Sequence, residues 1–260
     1  MREDWKRLIA ARDLLVVWTF REFKARYAGS ALGVAWAFLY PLSLLLVFLL
    51  VFTWLLNVPT GGVPAILFLY TGLVPWLFTS GAIQNAALAV VANVDLVKSV
   101  AFPREILPLA TVLVGFVDFA ISGVLLALLL AFYSVPIGLP LLLLPGLLVI
   151  QSLLTLAICL LLAGSVVPYR DVRFLVPVGL QLWMYLSPVF YPIDLVPEWA
   201  RGLYRLNPMA ALLDAYRQVL LFNRWPDWLP LIVATSISFF ALLLAYAYFK
   251  RAEWGFADRG

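Results

Sequence analysis

Residues 107–134 read LPLATVLVGFVDFAISGVLLALLLAFYS, a run with one charged side chain, Asp118. A bilayer core of roughly 30 Å takes about 20 apolar residues in a helix, so this run is long enough to cross it. Five further blocks have the same character, near 31–56, 65–91, 140–167, 174–192 and 228–249. The block at 174–192 is short and the one at 31–56 is long. Tilt, or a kink at Pro41, absorbs such mismatch. Lipid leaves the backbone no partners but its own, so the blocks are expected to be helices. The ten-residue alternation of a membrane barrel is absent. The expected fold is an all-α polytopic membrane protein, residues 1–260 forming one transmembrane domain with six spans.

Composition points the same way. The chain is 65% hydrophobic and 12% charged, with a mean hydropathy of +1.01. A soluble domain carries about a quarter charged residues. With no histidine, Ser-His-Asp and Cys-His catalysis and His-ligated zinc are excluded. The single cysteine, Cys159, lies in an apolar run, so no internal disulfide is possible. No metal site and no nucleic-acid partner are expected. Residues 1–30, rich in Arg and Lys, precede the first block, which is not the layout of a secretory signal.

The connections carry the orientation signal. With both termini cytoplasmic, the inner side holds Arg2, Lys6, Arg7, Arg12, Arg21, Lys24, Arg26, Lys98, Arg104, Arg170, Arg173, Lys250, Arg251 and Arg259. The outer side holds Arg201, Arg205, Arg217 and Arg224. That is 14 against 4 of the 18 basic residues, a strong positive-inside asymmetry. The expected location is a cytoplasmic membrane, multi-pass.

Three water-facing features stand out. Residues 93–105 form a charged, helix-prone island between two apolar blocks, with Asp95, Lys98, Arg104 and Glu105. It is a candidate handle for a soluble partner. Residues 12–28 place Val16, Phe20, Phe23 and Tyr27 on one helix face, with Arg21, Lys24 and Arg26 mostly elsewhere. Such a helix should lie along the membrane interface, apolar face down, as an anchor or as a brace that also touches a partner. The outer segment 193–227 is broken by Pro197 and Pro208. Asn207-Pro208 fits an N-cap followed by Pro at the first helical position, opening a short helix from Met209 to Phe222. Short interfacial or re-entrant helices fit this segment; an ordinary surface cap is the plain alternative.

Asp118 is costly in lipid, so it should face protein or water or be protonated. It is either a channel-lining or relay group or the acceptor in a helix–helix hydrogen bond. Gln84, Asn85, Gln151 and Gln181 can bond neighbouring helices or line a polar path. Tyr40, Tyr70, Trp76, Phe78, Trp183, Tyr185, Phe190 and Tyr191 lie in or near spans. An interfacial aromatic belt accounts for most of them. Pointing inward, they would stack on sugar rings and let a sugar chain slide. No GxxxxGK[ST] loop occurs, so an ATP-driven transporter would need its ATPase on another polypeptide.

An ordered set of motifs resembles the permeases of type-2 ABC exporters, closest to those exporting O-antigen, capsule and teichoic-acid polymers. The set opens with Arg21-Glu22-Phe23-Lys24-Ala25-Arg26-Tyr27, Ser30-Ala31-Leu32-Gly33, Trp36 and Tyr40-Pro41-Leu42. It continues with Gly72-Leu73-Val74-Pro75-Trp76, Leu96-Val97-Lys98 and Phe102-Pro103-Arg104-Glu105-Ile106-Leu107-Pro108. It closes with Tyr169-Arg170-Asp171-Val172-Arg173, Ser187-Pro188-Val189-Phe190-Tyr191-Pro192 and Leu206-Asn207-Pro208. Ser99-Val100-Ala101 departs from the pattern, which has a second basic residue there and often an aromatic one.

The resemblance implies a six-span half-transporter that dimerises with a second copy of itself and binds two copies of a cytoplasmic ABC ATPase. ATP and Mg²⁺ would be held by that ATPase, with no cofactor on this chain and no catalytic residue. The loop 93–102 would carry the main coupling helix and 168–173 a smaller contact. Helix 12–28 would lie at the interface and touch the ATPase. The implied ATPase-coupling residues are Asp95, Leu96, Lys98, Phe102, Arg104, Glu105, Arg170, Asp171, Arg173, Arg21 and Lys24. Residues 193–222 would form gate helices over an aromatic channel along the dimer interface. The channel and gate set is Tyr40, Trp76, Phe78, Trp183, Tyr185, Phe190, Tyr191, Asn207 and Tyr216. The cargo would be a lipid-linked polysaccharide crossing the bacterial inner membrane. A drug or small-lipid exporter is the alternative within the family. A secondary carrier would need coupling-ion sites and usually a repeat, and a membrane transferase an acid/base constellation.

Overall fold

The structure is a computed structural model describing residues 10–93 and 102–253. Among the described residues it is a bundle of nine α-helices with no strand. In chain order these are α1 (Arg12–Tyr27), α2 (Trp36–Leu49), α3 (Ala65–Ala92), α4 (Ile106–Phe132), α5 (Leu144–Val166), α6 (Val172–Tyr185), α7 (Glu198–Leu206), α8 (Pro208–Leu220) and α9 (Trp228–Glu253). A 3₁₀ turn, Gly33–Ala35, leads into α2, and a π-helical turn, Leu50–Leu55, continues it. Another 3₁₀ turn, Leu139–Leu143, leads into α5.

Five helical segments are long and apolar enough to cross a membrane: Gly33–Leu55, Ala65–Ala92, Ile106–Phe132, Leu139–Val166 and Trp228–Glu253. α3 is the central one. Its most apolar window is 83% buried, against 17% for the α2 segment and 22% for α9. Small side chains let neighbours close on it: Gly72, Ala82, Ala86 and Ala87 punctuate its length. Between α5 and α9 the same device is Gly164, where a Cβ would lie 3.1 Å from the Tyr248 ring.

The expected fifth span, 174–192, is helical over only part of its length. Its helix, α6, has 14 residues, about 21 Å at 1.5 Å per residue, which is short of the hydrocarbon core. Helical geometry stops at Tyr185, just before Ser187-Pro188, because proline cannot supply the N–H that would continue the ladder. Yet the chain does change sides here. Ser165, at the end of α5, donates to the Tyr248 hydroxyl at 3.2 Å, near the end of α9. Beyond α8, Asn223 meets Gly138 so closely that a Cβ there would lie 2.3 Å from the amide oxygen. Residues 167–222 therefore run from one end of the bundle to the other, completed by α6 and an irregular segment.

Trp18, Val90, Ile106, Leu107 and Phe249 share one apolar cluster. The described start and finish of the chain thus lie at the same end of the bundle. α3 and α4 have 28 and 27 residues, about 42 and 40 Å long, so each overshoots the core by about 10 Å. α1 packs beside α4: Trp18 stacks on Phe102 at 6.2 Å, and Arg26 and Tyr27 reach Asp118. The helix expected at 12–28 is present as α1. It runs along α4, and the residue it buries is Trp18. Val16 and Phe20 of the expected apolar face are 66% and 68% exposed.

Candidate functional site

At the end of the bundle shared by the chain's two described limits, the expected coupling residues separate into three groups. Asp95, Leu96 and Lys98 lie outside the described residues. Arg21, Lys24, Arg170, Asp171 and Arg173 are exposed and present charge to whatever docks there. Phe102, Arg104 and Glu105 are engaged inside the chain. Phe102 is half-buried against Trp18. Arg104 donates to the Glu253 carbonyl. Glu105 is 2% exposed and paired with Lys250, which also meets Glu253 at 3.0 Å. A buried carboxylate requires such a partner, since an unpaired one would carry its full desolvation cost. Glu105 therefore closes the start of α4 onto α9.

Asp118 has its partners in α1. Arg26 forms an ion pair with it, and the Tyr27 hydroxyl donates at 2.7 Å. The helix–helix reading of this carboxylate holds, with the partner helix being the amphipathic one. Burial first, and then the bond to Asp118, push the Tyr27 phenol above its ordinary range, so it remains a protonated donor. Asp118 is the thirteenth of the 27 residues of α4, near its middle as expected. A cleft of about 400 Å³ opens beside the pair, walled by Trp36, Tyr40 and Gln84.

A buried polar network ties α3, α5 and α8. Gln151 donates to the Pro75 carbonyl at 2.7 Å and to Thr79 Oγ1 at 2.9 Å, and accepts from the Tyr216 hydroxyl at 2.8 Å. Thr155 lies 3.2 Å from Thr79. Of the four amides expected in the membrane, only Gln151 bonds neighbouring helices in this way. Gln84, Asn85 and Gln181 are exposed on the outside of the chain.

The irregular stretch after α6 carries the residue that sequence reasoning misplaced. Arg217 is 2% exposed, not a surface arginine of the outer segment. It donates to the Pro188 and Val189 carbonyls at 2.5 and 2.6 Å and lies 3.9 Å over the Phe68 ring. Where α6 stops short, backbone carbonyls at membrane depth lose helical partners; the guanidinium supplies donors to two of them. Gly72 makes room. A Cβ there would lie 2.4 Å from the Val189 oxygen and 2.6 Å from an Arg217 nitrogen. The signal was present in the sequence: Leu213, Tyr216, Arg217 and Leu220 share one helical face at steps of three, one and three.

Asn207 is the hinge of the outer segment. Its side chain accepts from Met209 N and from Trp183 Nε1, both at 3.1 Å, and donates to Ser187 Oγ at 3.0 Å. The expected N-cap is borne out, and α8 starts at Pro208 as the motif requires. Tyr191 donates to the Tyr185 carbonyl at 2.7 Å and shares a 2.6 Å hydrogen bond with Tyr204. Trp183, Tyr191 and Asn207 converge on an open cavity of about 720 Å³, with Trp199, Leu203 and Tyr204 of α7 as the other wall. A short helix in this segment was expected, but its bounds and the role of Trp199 were not. The helix is short, and its face of Trp199, Leu203 and Leu206 spans barely two turns.

The expected channel residues divide by burial. Tyr40 and Tyr185 are exposed, while Trp76, Phe78, Phe190 and Tyr216 are at most 3% exposed. The last four are core residues of the single chain: Trp76 meets Trp183 edge-on at 5.5 Å, and Phe190 packs on Phe48 at 3.9 Å. Of these, Phe78 also lines the cleft beside Asp118.

A bundle with five helical segments long and apolar enough to cross a membrane has the build of a polytopic membrane protein. Residues 13–221 match the model of the ABC-2 type transporter family, and the chain belongs to that family. It is 34% identical to the O-antigen export system permease protein RfbA of Myxococcus xanthus, over 97% of each chain. It is 27% identical to a protein of that name from Klebsiella pneumoniae, over 95% of this chain and 94% of the relative. The polysialic acid transport protein KpsM of Escherichia coli is 21% identical over 90% of this chain and 91% of its own length.

Proposed function

We propose that this chain is the membrane-spanning half of an ATP-driven exporter that passes a lipid-linked polysaccharide outward across the bacterial cytoplasmic membrane. The observation that carries this reading is the end-to-end similarity to a relative named for O-antigen export, over 97% of both chains. Two copies form the pathway, and two copies of a cytoplasmic ABC ATPase hold ATP and Mg²⁺. The positive-inside asymmetry makes the end with Arg21, Lys24, Arg170 and Arg173 cytoplasmic. There the exposed charges and the island 93–105 receive the ATPase. Closure of the ATPase pair on ATP moves the coupling segments as rigid bodies, and the dimer interface switches between two packings.

At the other end, α7, α8 and the stretch 186–197 form the gate. Exposed Tyr40 and Tyr185 and the cavity rimmed by Trp183, Tyr191 and Trp199 offer aromatic faces to a sugar chain. Against a secondary carrier stands Asp118, which is occupied by Arg26 and Tyr27 and so holds no free coupling-ion site in this structure. The test is reconstitution: the permease, purified with a cytoplasmic ABC ATPase that co-purifies with it, is placed in vesicles loaded with lipid-linked glycans. Glycan-dependent stimulation of ATP hydrolysis with outward transfer is the expected result. Stimulation by drugs or phospholipids alone would replace the polysaccharide reading with the small-molecule one.

A further inference from the structure

Apart from the two cavities above, an opening of about 650 Å³ lies between α7, α8 and the first turn of α9. That is within the size range of small-ligand pockets. The far end of α9, at Phe249, packs with Trp18, so this opening is at the opposite end of the bundle. Its walls carry opposite charge. Arg201 and Arg205, one helical turn apart on α7, form one side. Asp194, Asp214 and Asp227 form the other. Asp194 and Asp227 act on Asp214 with like charge, and the buried Arg217 acts on it with opposite charge. Arg201, Arg205 and Arg217 thus balance Asp194, Asp214 and Asp227 in number.

The walls do not close on each other. Among the described residues, no ion pair joins Arg201 or Arg205 to any of these aspartates. Arg201 is turned to the Val196 carbonyl at 3.1 Å and to the exposed Glu198 at 3.8 Å. Pairing at such exposed positions is worth about 1 kcal/mol or less. The open arrangement therefore costs little and leaves both signs of charge available. A simple anion would meet the aspartates, and a simple cation the arginines. A ligand with a phosphate and a primary amine suits both walls. Guanidinium forks match phosphate oxygens, and an ammonium has N–H donors for carboxylates.

The third side of the opening points to the source of such a ligand. It is made by Trp228, Leu229 and Val233 of α9, a helix long and apolar enough to cross the membrane. Leu229 and Ile232 are 69% and 59% exposed, an apolar track leading away along α9. Trp225 and Trp228 stack at 6.3 Å, as aromatic rings do at headgroup level. We propose that this cavity seats the headgroup of a zwitterionic membrane lipid, with its phosphate on Arg201 and Arg205 and its primary amine between Asp214 and Asp227. The bound lipid ties α7 to the start of α9. This goes beyond the exporter reading and needs only that α9 span the membrane.

The experiment gives the full-length chain, stripped of lipid in detergent, phosphatidylethanolamine, phosphatidylglycerol or phosphatidylcholine at equal concentration. Native mass spectrometry counts the lipid retained per chain. Phosphatidylethanolamine should be retained about tenfold better than either other lipid, the worth of one charge-assisted hydrogen bond. Phosphatidylglycerol lacks the amine, and the choline group lacks N–H donors. Arg205→Gln should weaken phosphatidylethanolamine about tenfold, and Arg205→Lys should keep most of the binding. Asp227→Asn should abolish the preference over phosphatidylglycerol. Both positions are exposed, and a ratio between lipids within one preparation is unaffected by the amount that folds. Free phosphoethanolamine in millimolar excess should leave the lipid in place. Equal retention of the three lipids by the wild type, or a preference unchanged in both Arg205→Gln and Asp227→Asn, would overturn the proposal. Full displacement by free phosphoethanolamine would overturn a membrane lipid as the occupant.

Discussion

Replacing Arg217 with methionine tests whether a buried guanidinium substitutes for the helix turn that α6 lacks. Methionine keeps length and apolar bulk but donates nothing. Two strong donations are lost, to Pro188 and Val189 at 2.5 and 2.6 Å. The third contact, to Tyr191 at 3.5 Å, is too long to count. Hydrogen bonds from a charged group are worth about 1.5–3 kcal/mol each, and the contact over Phe68 about 1–2. Removing the charge also returns part of its desolvation cost, so the expected loss is about 3–4 kcal/mol. Lysine, a point donor without the planar fork, should lose about half as much. Reversible unfolding in mixed micelles measures the loss. A reporter cysteine, Val189→Cys, measures the loop directly, since Val189 is fully buried. It should stay silent to a membrane-impermeant maleimide in the wild type and react in the Arg217→Met background. Gly72→Ala should produce the same labelling by pushing on the same oxygen. The reasoning is refuted if Arg217→Met costs under about 1 kcal/mol and leaves Val189→Cys unlabelled.

Gln151→Leu strands the buried Tyr216 hydroxyl and should cost about 2–3 kcal/mol. Combined with Tyr216→Phe the losses should fall short of additivity, as seen in an unfolding cycle. Gly164→Val drives a side chain into Tyr248 and should cost about 1–3 kcal/mol, read as reduced thermal stability in detergent. Arg170→Glu with Arg173→Glu changes only exposed charge. It should leave permease levels intact and lower the yield of co-purified ATPase several-fold; an unchanged yield would remove 168–173 from the docking surface.

The spans were legible because lipid imposes a one-dimensional rule. Apolar runs bounded by charge marked 65–91, 107–134 and 140–167, and the helices are Ala65–Ala92, Ile106–Phe132 and Leu139–Val166. The cap at Asn207 was legible because capping is local chemistry. The run at 174–192 misled for a physical reason. Apolarity marks exclusion from water without saying whether lipid or protein does the excluding. Val189 and Phe190 are buried under α8 and α2, not in a spanning helix. Arg217 misled in the opposite sense, since a charge reads as surface until its acceptors are known.

Composition and periodicity determined by themselves an all-helical membrane chain and the positions of its long apolar helices. Only the tertiary structure decided that Asp118 pairs with Arg26, that Glu105 is spent on Lys250, and that Arg217 holds the carbonyls after α6. The difference is one of range. Burial preference and helix capping act within a few residues, whereas each of those ion and hydrogen-bond pairs joins side chains 28 to 145 positions apart. Such pairs exist only once the helices have packed.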